Sequence, residues 1–205
     1  MIDLSLGEFE ALVAKAMRGA GYSWGLTEDG AHAARRLGEF GFSAAEMMLA
    51  LLRAAEPVQV ATLMPNPDWL APSDWLCPVC VGAAMADRRG CPDADIGPVI
   101  VPALAGPIVA STLGDTDQGG YTLTWDGGSV AVTAKGIVAT GVQVPGLVPI
   151  AIRRDEQLAV NSQPQRRIML LPSELAELEA FASRTYAPAT EESRAGAGSA
   201  EPDND

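Results

Sequence analysis

Apolar positions in the first third of the chain recur with helical spacing. Phe9, Leu12, Val13, Ala16 and Met17 fall on one face of a segment opened by Ser5-Leu6-Gly7-Glu8. That Ser-x-x-Glu spacing is a capping box, in which a hydroxyl and a carboxylate satisfy each other's backbone amides. Gly19 and Gly21 end the helix. A second helix is predicted with Thr27 as its cap and Glu28 and Asp29 in its first turn, where the helix dipole favours acids. Its apolar face is Ala33, Ala34, Leu37 and Phe40, and Gly41 stops it. Ser43-Ala44-Ala45-Glu46 reads as another capping box, opening a third helix that carries Met47, Met48, Leu51 and Leu52. Prolines 57, 65, 67 and 72 then forbid a long helix. The stretch is expected to hold a strand over Val58–Leu63 and an ordered loop, followed by a short helix over Pro78–Asp87.

From Ile96 to Leu171 the period changes to two. Tyr121-Thr-Leu-Thr-Trp125 alternates strictly, Asp126-Gly127-Gly128 supplies a tight turn, and Val130, Val132 and Ala134 continue the alternation, so Tyr121–Lys135 is predicted as a hairpin. Further strands are predicted at Val99–Ala103, Ile108–Thr112, Ile137–Val144, Leu147–Arg153 and Arg167–Leu170. Turn signals recurring every 8–12 residues favour an antiparallel sheet over βαβ units. Ser173, after Pro172, is expected to cap a last helix running to about Thr185, with Leu175, Leu178, Phe181 and Ala182 on its apolar side. The fold class is therefore α+β: an N-terminal helical layer on a mostly antiparallel sheet, with a C-terminal helix. A single domain over residues 1–186 is expected. Beyond it, residues 187–205 have no bulky apolar side chain and are expected to form a disordered acidic tail.

Composition narrows the classes of function. Of the 205 residues, 48% are hydrophobic, enough for a core without disulfides or a metal. The net charge is −12, a field that repels phosphate backbones, and the basic doublets Arg35–Arg36, Arg88–Arg89, Arg153–Arg154 and Arg166–Arg167 form no stripe. Neither nucleic acid nor a membrane surface is expected as a partner. The apolar runs Val99–Leu104 and Leu147–Ile152 are interrupted by proline and are too short to span a bilayer. Met1-Ile-Asp-Leu-Ser5 does not read as a secretory leader, so a cytoplasmic location is expected.

Cys77-Pro-Val-Cys80 is the sharpest short motif. It is similar to the Cys-Pro-x-Cys redox site of glutaredoxins, in which the first thiol sits at a helix N-terminus and its thiolate is stabilised there. Pro78 at the first helical position suits that geometry. In thioredoxin-like folds, however, the motif directly follows the first strand, whereas here three helices and a proline-rich loop precede it. The plainer reading is two small buried cysteines beside a helix start. Adding Cys91 gives Cys-x2-Cys-x10-Cys, which lacks the fourth ligand of a closed zinc site, so no metal or other cofactor is expected. His32, the sole histidine, is placed on a solvated face with Glu28, Arg35, Arg36 and Glu39, which argues against triad hydrolysis. Asp115 and Asp117 read as a polar hairpin loop rather than a calcium loop.

Gly19-Ala-Gly21 and Trp24-Gly25 form a glycine-rich turn before a helix N-terminus, a place where an anion can bind, although no phosphate-binding fingerprint is present. The plainer reading makes Trp24 an interhelical plug. A ligand site, where one exists, is expected near Tyr22, Ser23, Trp24, Trp69, Trp75 and Cys77, because loops rich in tryptophan and proline line clefts.

Two blocks carry a resemblance. Arg18-Gly-Ala-Gly-Tyr-Ser-Trp-Gly-Leu-Thr-Glu-Asp-Gly30 with Ala33-Ala-Arg-Arg-Leu37 is one, and Leu76-Cys-Pro-Val-Cys-Val-Gly-Ala-Ala-Met-Ala-Asp87 is the other. Together they resemble the bacterial domain-of-unknown-function family numbered 3726, over most of the chain except the tail. The resemblance implies a family and no activity. The helical opening is also similar to that of the type-2 malate and lactate dehydrogenases, but Gly41-Phe-Ser-Ala-Ala45 lacks the histidine of their Ser-His-Gly motif, and no chemistry carries over. The function expected first is that of a non-catalytic accessory or small-ligand-binding protein. The alternatives are a thiol-dependent redox enzyme using Cys77 and Cys80, and a subunit or interaction partner of another protein.

Overall fold

The computed structural model describes residues 1–185 except 57, 71, 73, 88–92, 103–104, 114–118 and 142–144. The expectations for Cys91, Asp115, Asp117, the Arg88–Arg89 doublet and the tail from residue 187 lie outside the described residues.

Strand β1 (Ile2–Ser5) leads into helix α1 (Leu6–Gly19) through the predicted capping box. Ser5 Oγ accepts the Glu8 amide at 3.2 Å, and the Glu8 carboxylate accepts the Ser5 amide at 2.8 Å. The helix ends at a wrapped turn: the Gly21 amide returns to the Arg18 carbonyl and the Tyr22 amide to that of Met17, with Gly21 at φ +93°. Helix α2 (Trp24–Glu39) starts four residues earlier than predicted. Ser23 is its N-cap, and Thr27 sits inside the first turn and is buried. Helix α3 (Ala44–Ala55) has the predicted N-cap, Ser43, but no side-chain cap bond, so its capping box is not closed.

The predicted strand over Val58–Leu63 is instead a 3-10 turn, Val60–Leu63. Val60 and Leu63 share one buried side, which short apolar runs achieve equally well as turn or strand. Helix α4 (Pro78–Asp87) has its predicted bounds. Strand β2 (Asp93–Pro102) contains most of the predicted Val99–Ala103 segment. The predicted strand Ile108–Thr112 is helix α5 (Ala105–Leu113). Its β-branched residues favour a strand locally, but Pro107 falls in the first helical turn, where its missing N–H costs nothing. The Ser111 and Thr112 hydroxyls also return to the carbonyls of Pro107 and Val109.

Strands β3 (Gly120–Trp125) and β4 (Gly128–Thr133) form the predicted hairpin, with Gly127 at φ +84°. Strands β5 (Gly136–Gly141), β6 (Pro145–Asp155) and β7 (Arg167–Leu170) follow, and helix α6 (Pro172–Ser183) closes the described chain. The cap of α6 is Leu171 rather than Ser173, and the Glu174 carboxylate accepts its amide at 2.7 Å.

The strands form two antiparallel sheets. One is five-stranded, in the order β2-β6-β3-β4-β5; the other pairs β1 with β7, joining Ile2 to Leu170 and Ser5 to Arg167. In β7 the alternation is clean: Ile168 and Leu170 point inward and Met169 outward.

Two hydrophobic clusters organise the packing. The first joins α1, α2, α3 and α6 with β7, through Phe9, Val13, Met17, Leu37, Met48, Leu52 and Phe181 among others. The second fills the face of the large sheet with Leu123, Val130, Val132, Ile150 and Ile152. Helix α4 serves both. Cys77, at its start, and Val79 and Cys80 belong to the first cluster, while Val81 and Met85 belong to the second. This explains why α4 is apolar all round, as a helix between two cores must be.

One expectation about α2 is overturned here. Arg36 does not lie on a solvated face but is 5% exposed. Its Nη2 donates to the Thr133 carbonyl at 3.0 Å, and its guanidinium lies 5.7 Å from the Phe40 ring centroid. The helical period puts Arg36 beside Glu28 and His32. The sheet that arrives from 97 residues further on turns that position inward.

Candidate functional site

The most organised chemistry among the described residues surrounds Cys77. Its amide donates to the Leu63 carbonyl at 3.0 Å, and its carbonyl accepts the Val81 amide at 2.9 Å. Cys77 is therefore the N-cap of α4, with Pro78 as the first helical residue, where a missing N–H is no loss. The side chain of an N-cap residue faces the free amides of the first turn. Tyr22, from the turn between α1 and α2, shares a hydrogen bond with Cys77 across 3.4 Å between hydroxyl oxygen and Sγ. Cys80 stands one helical turn on, and both thiols are free.

These contacts divide the two thiols electrostatically. Burial raises the pKa of Cys77, but hydrogen bonds from the Cys80 thiol, the Tyr22 hydroxyl and the amides of Cys80 and Val79 outweigh it, and the net direction is down. Cys80 is pushed strongly up, first by its hydrogen bond to Cys77 and then by burial. Tyr22 is also pushed well up, chiefly by burial and then by the neighbouring Cys77. The two thiols are thus driven to opposite sides of their ordinary value, Cys77 down and Cys80 up.

The six sequence-predicted ligand residues do not converge on one surface. Tyr22, Trp75 and Cys77 share the first hydrophobic cluster, and Tyr22 and Cys77 are wholly buried. Trp69 is buried in the second cluster. It adopts φ +58°, at the end of a turn in which Asn66 Oδ1 accepts the amides of Asp68 and Leu70. Ser23 is exposed. Trp24, expected as a plug, is 70% exposed, with the Arg18 guanidinium 4.3 Å from its ring centroid. Arg18 also donates to the Tyr22 carbonyl. No sequence signal pairs Tyr22 with Cys77, because 55 residues separate them.

The remaining candidates have plainer surroundings. His32 is half exposed, with Nδ1 3.8 Å from a Glu10 carboxylate oxygen, and Arg35 reaches the same carboxylate at 2.9 Å. Among the described residues, no group of three or more His, Cys, Asp or Glu side chains is placed to hold a metal ion. A groove of about 360 Å³ lies elsewhere, lined by Thr133, Lys135, Leu158, Val160 and Asn161 among others. None of the predicted ligand residues lines it. Segment 156–166 shapes the groove, tied down by Thr133 Oγ1 donating to the Val160 carbonyl and by the Ser162 amide donating to Lys135. Among the described residues, no helix is long and apolar enough to cross a membrane.

No curated protein and no solved structure matches the chain. A family model does match, and it ends at residue 75, so it takes in the glycine- and tryptophan-rich block around Trp24 but not the Cys77–Cys80 block. Over residues 4–75 the chain carries the sequence pattern of the family described as Protein of unknown function (DUF3726).

Proposed function

We propose that Cys77 and Cys80 are the chemical centre of this protein and work as a dithiol–disulfide couple. The observation that carries this reading is the placement of Cys77 at the N-terminus of α4, its sulfur hydrogen-bonded to Tyr22 and to the Cys80 thiol one turn on. A thiol with a lowered pKa one turn ahead of a thiol with a raised one is the arrangement that thiol–disulfide exchange uses. The Cys77 thiolate attacks one sulfur of a disulfide substrate, forming a mixed disulfide and releasing one thiolate. Cys80 then gives up its proton and attacks the Cys77 sulfur, closing the Cys77–Cys80 bond and releasing the second thiolate. Two electrons pass to the substrate disulfide, which leaves as two thiols once it has taken up two protons. Free thiols of this kind suit a reducing compartment, and we place the protein in the cytoplasm.

Both sulfurs are buried, so attack requires local opening of the segments over Cys77. The turn holding Tyr22 and the 3-10 turn holding Leu63 are the segments hydrogen-bonded to it. The expected result is that iodoacetamide labels Cys77 in the native protein faster than the chain unfolds, and that oxidised glutathione yields an intramolecular Cys77–Cys80 disulfide by mass spectrometry. Labelling no faster than global unfolding would remove the proposal and leave two structural cysteines. A small-ligand role around Tyr22, Ser23, Trp24, Trp69, Trp75 and Cys77 draws less support, since these side chains are divided between two buried clusters and an outward-facing turn.

A further inference from the structure

We propose that Tyr22 is a catalytic residue of the thiol site, its hydroxyl holding the Cys77 sulfur in the ionised form that attacks. The proposal rests on the dithiol reading above and assigns a role to a residue outside the Cys-x-x-Cys motif. The geometry has three parts. The Tyr22 hydroxyl lies 3.4 Å from Cys77 Sγ, and its ring is wholly buried, so water does not compete for either group. Once Cys77 is ionised its sulfur has no proton to give, so the phenol is the donor in that state. Finally, the tyrosine is fixed from its backbone: its amide returns to the Met17 carbonyl at 3.1 Å and its own carbonyl accepts from Arg18. A donor held in this way pays little ordering entropy when charge develops on the sulfur. Cys80 supplies the other side-chain hydrogen bond to Cys77, and the Val79 and Cys80 amides complete the set.

Tyr22→Phe keeps the buried ring and removes only the donor. A hydrogen bond to a buried charge is large enough that its loss is expected to raise the Cys77 pKa by about one unit, read from thiolate absorbance against pH with Cys77→Ala as the blank. Removing a stabiliser of the reduced thiolate favours the disulfide. At a pH where wild-type Cys77 is ionised, the equilibrium with glutathione is therefore expected to move about tenfold toward the Cys77–Cys80 disulfide, or about 30 mV. A folded Tyr22→Phe protein in which neither quantity moves overturns the role of Tyr22 and leaves the dithiol reading standing. A wild-type protein that forms no disulfide in glutathione buffers removes the dithiol reading, and this role falls with it. If Tyr22→Phe does not fold, the converse measurement decides. The Tyr22 phenol is expected to ionise at lower pH in Cys77→Ala than in the reduced wild type, since Cys77 helps to hold its pKa up. An unchanged phenol titration overturns the proposal.

Discussion

Gly19→Ala is expected to destabilise the protein by about 3 kcal/mol, while Gly7→Ala in the same helix is neutral or stabilising by up to about 1 kcal/mol. Both residues are in α1, and alanine is intrinsically the better helix former. The difference is tertiary. Nothing lies within 4 Å of a Cβ built on Gly7. A Cβ on Gly19 would overlap the Phe181 carbonyl oxygen and come within 2.8 Å of its carbon and 3.3 Å of Arg184 Cβ. A backbone carbonyl cannot rotate away as a side chain can, so α1 and α6 must separate. That loosens the cluster containing Val13, Met17, Leu178 and Phe181. The steric cost outweighs the propensity gain, and urea denaturation of the two variants measures both. Equal stability of the two would show that α6 does not cross α1 at Gly19.

Arg36→Ala is expected to cost about 2–3 kcal/mol, far more than an exposed arginine would. The substitution leaves the Thr133 carbonyl without a charged donor and strips the packing of the arginine stem beside Phe40. Thr133 is a junction. Its carbonyl meets α2, while its hydroxyl donates to the Val160 carbonyl and accepts the Lys135 amide. The loss is therefore felt where α2, β4 and segment 156–166 meet. We propose that residues 1–185 unfold as one cooperative unit because α4 and Arg36 join the two clusters. Calorimetry on the wild type is then expected to show a single transition. Two separated transitions would divide the chain into independent domains, and an Arg36→Ala variant as stable as the wild type would remove Arg36 from the joint.

Elements with local causes were legible before the structure. The Ser5–Glu8 box, the hairpin around Gly127, the bounds of α4 at Pro78 and Asp87, and β7 from Arg167 to Leu170 all follow from capping chemistry, turn chemistry or a clean period. The α+β class and the antiparallel sense of the sheet follow from the same signals. The misreadings arise where tertiary neighbours decide. Ile108–Thr112 and Val58–Leu63 are short apolar runs with no period to arbitrate, and their neighbours decided the outcome. Arg36 was misplaced because a one-sided helix pattern does not say whether a second layer covers the other side, and Trp24, read as a plug in the turn before α2, is the first residue of that helix and faces outward.

The candidate site divides along the same line. The Cys-Pro-Val-Cys spacing and its position at a helix start are written in four consecutive residues, because an N-cap is a property of the chain around it. The partner on the sulfur is not: Tyr22, in the turn that leads into α2, reaches Cys77 because α2 packs against α4, bringing together groups 55 residues apart. Local sequence determined which thiol faces the helix amides. Burial of both thiols was already the plainer reading of the apolar sequence around them; only tertiary packing decided that a phenol meets one of them and that their pKa values are driven in opposite directions, since desolvation and long-range hydrogen bonds exist only once the two cores have closed.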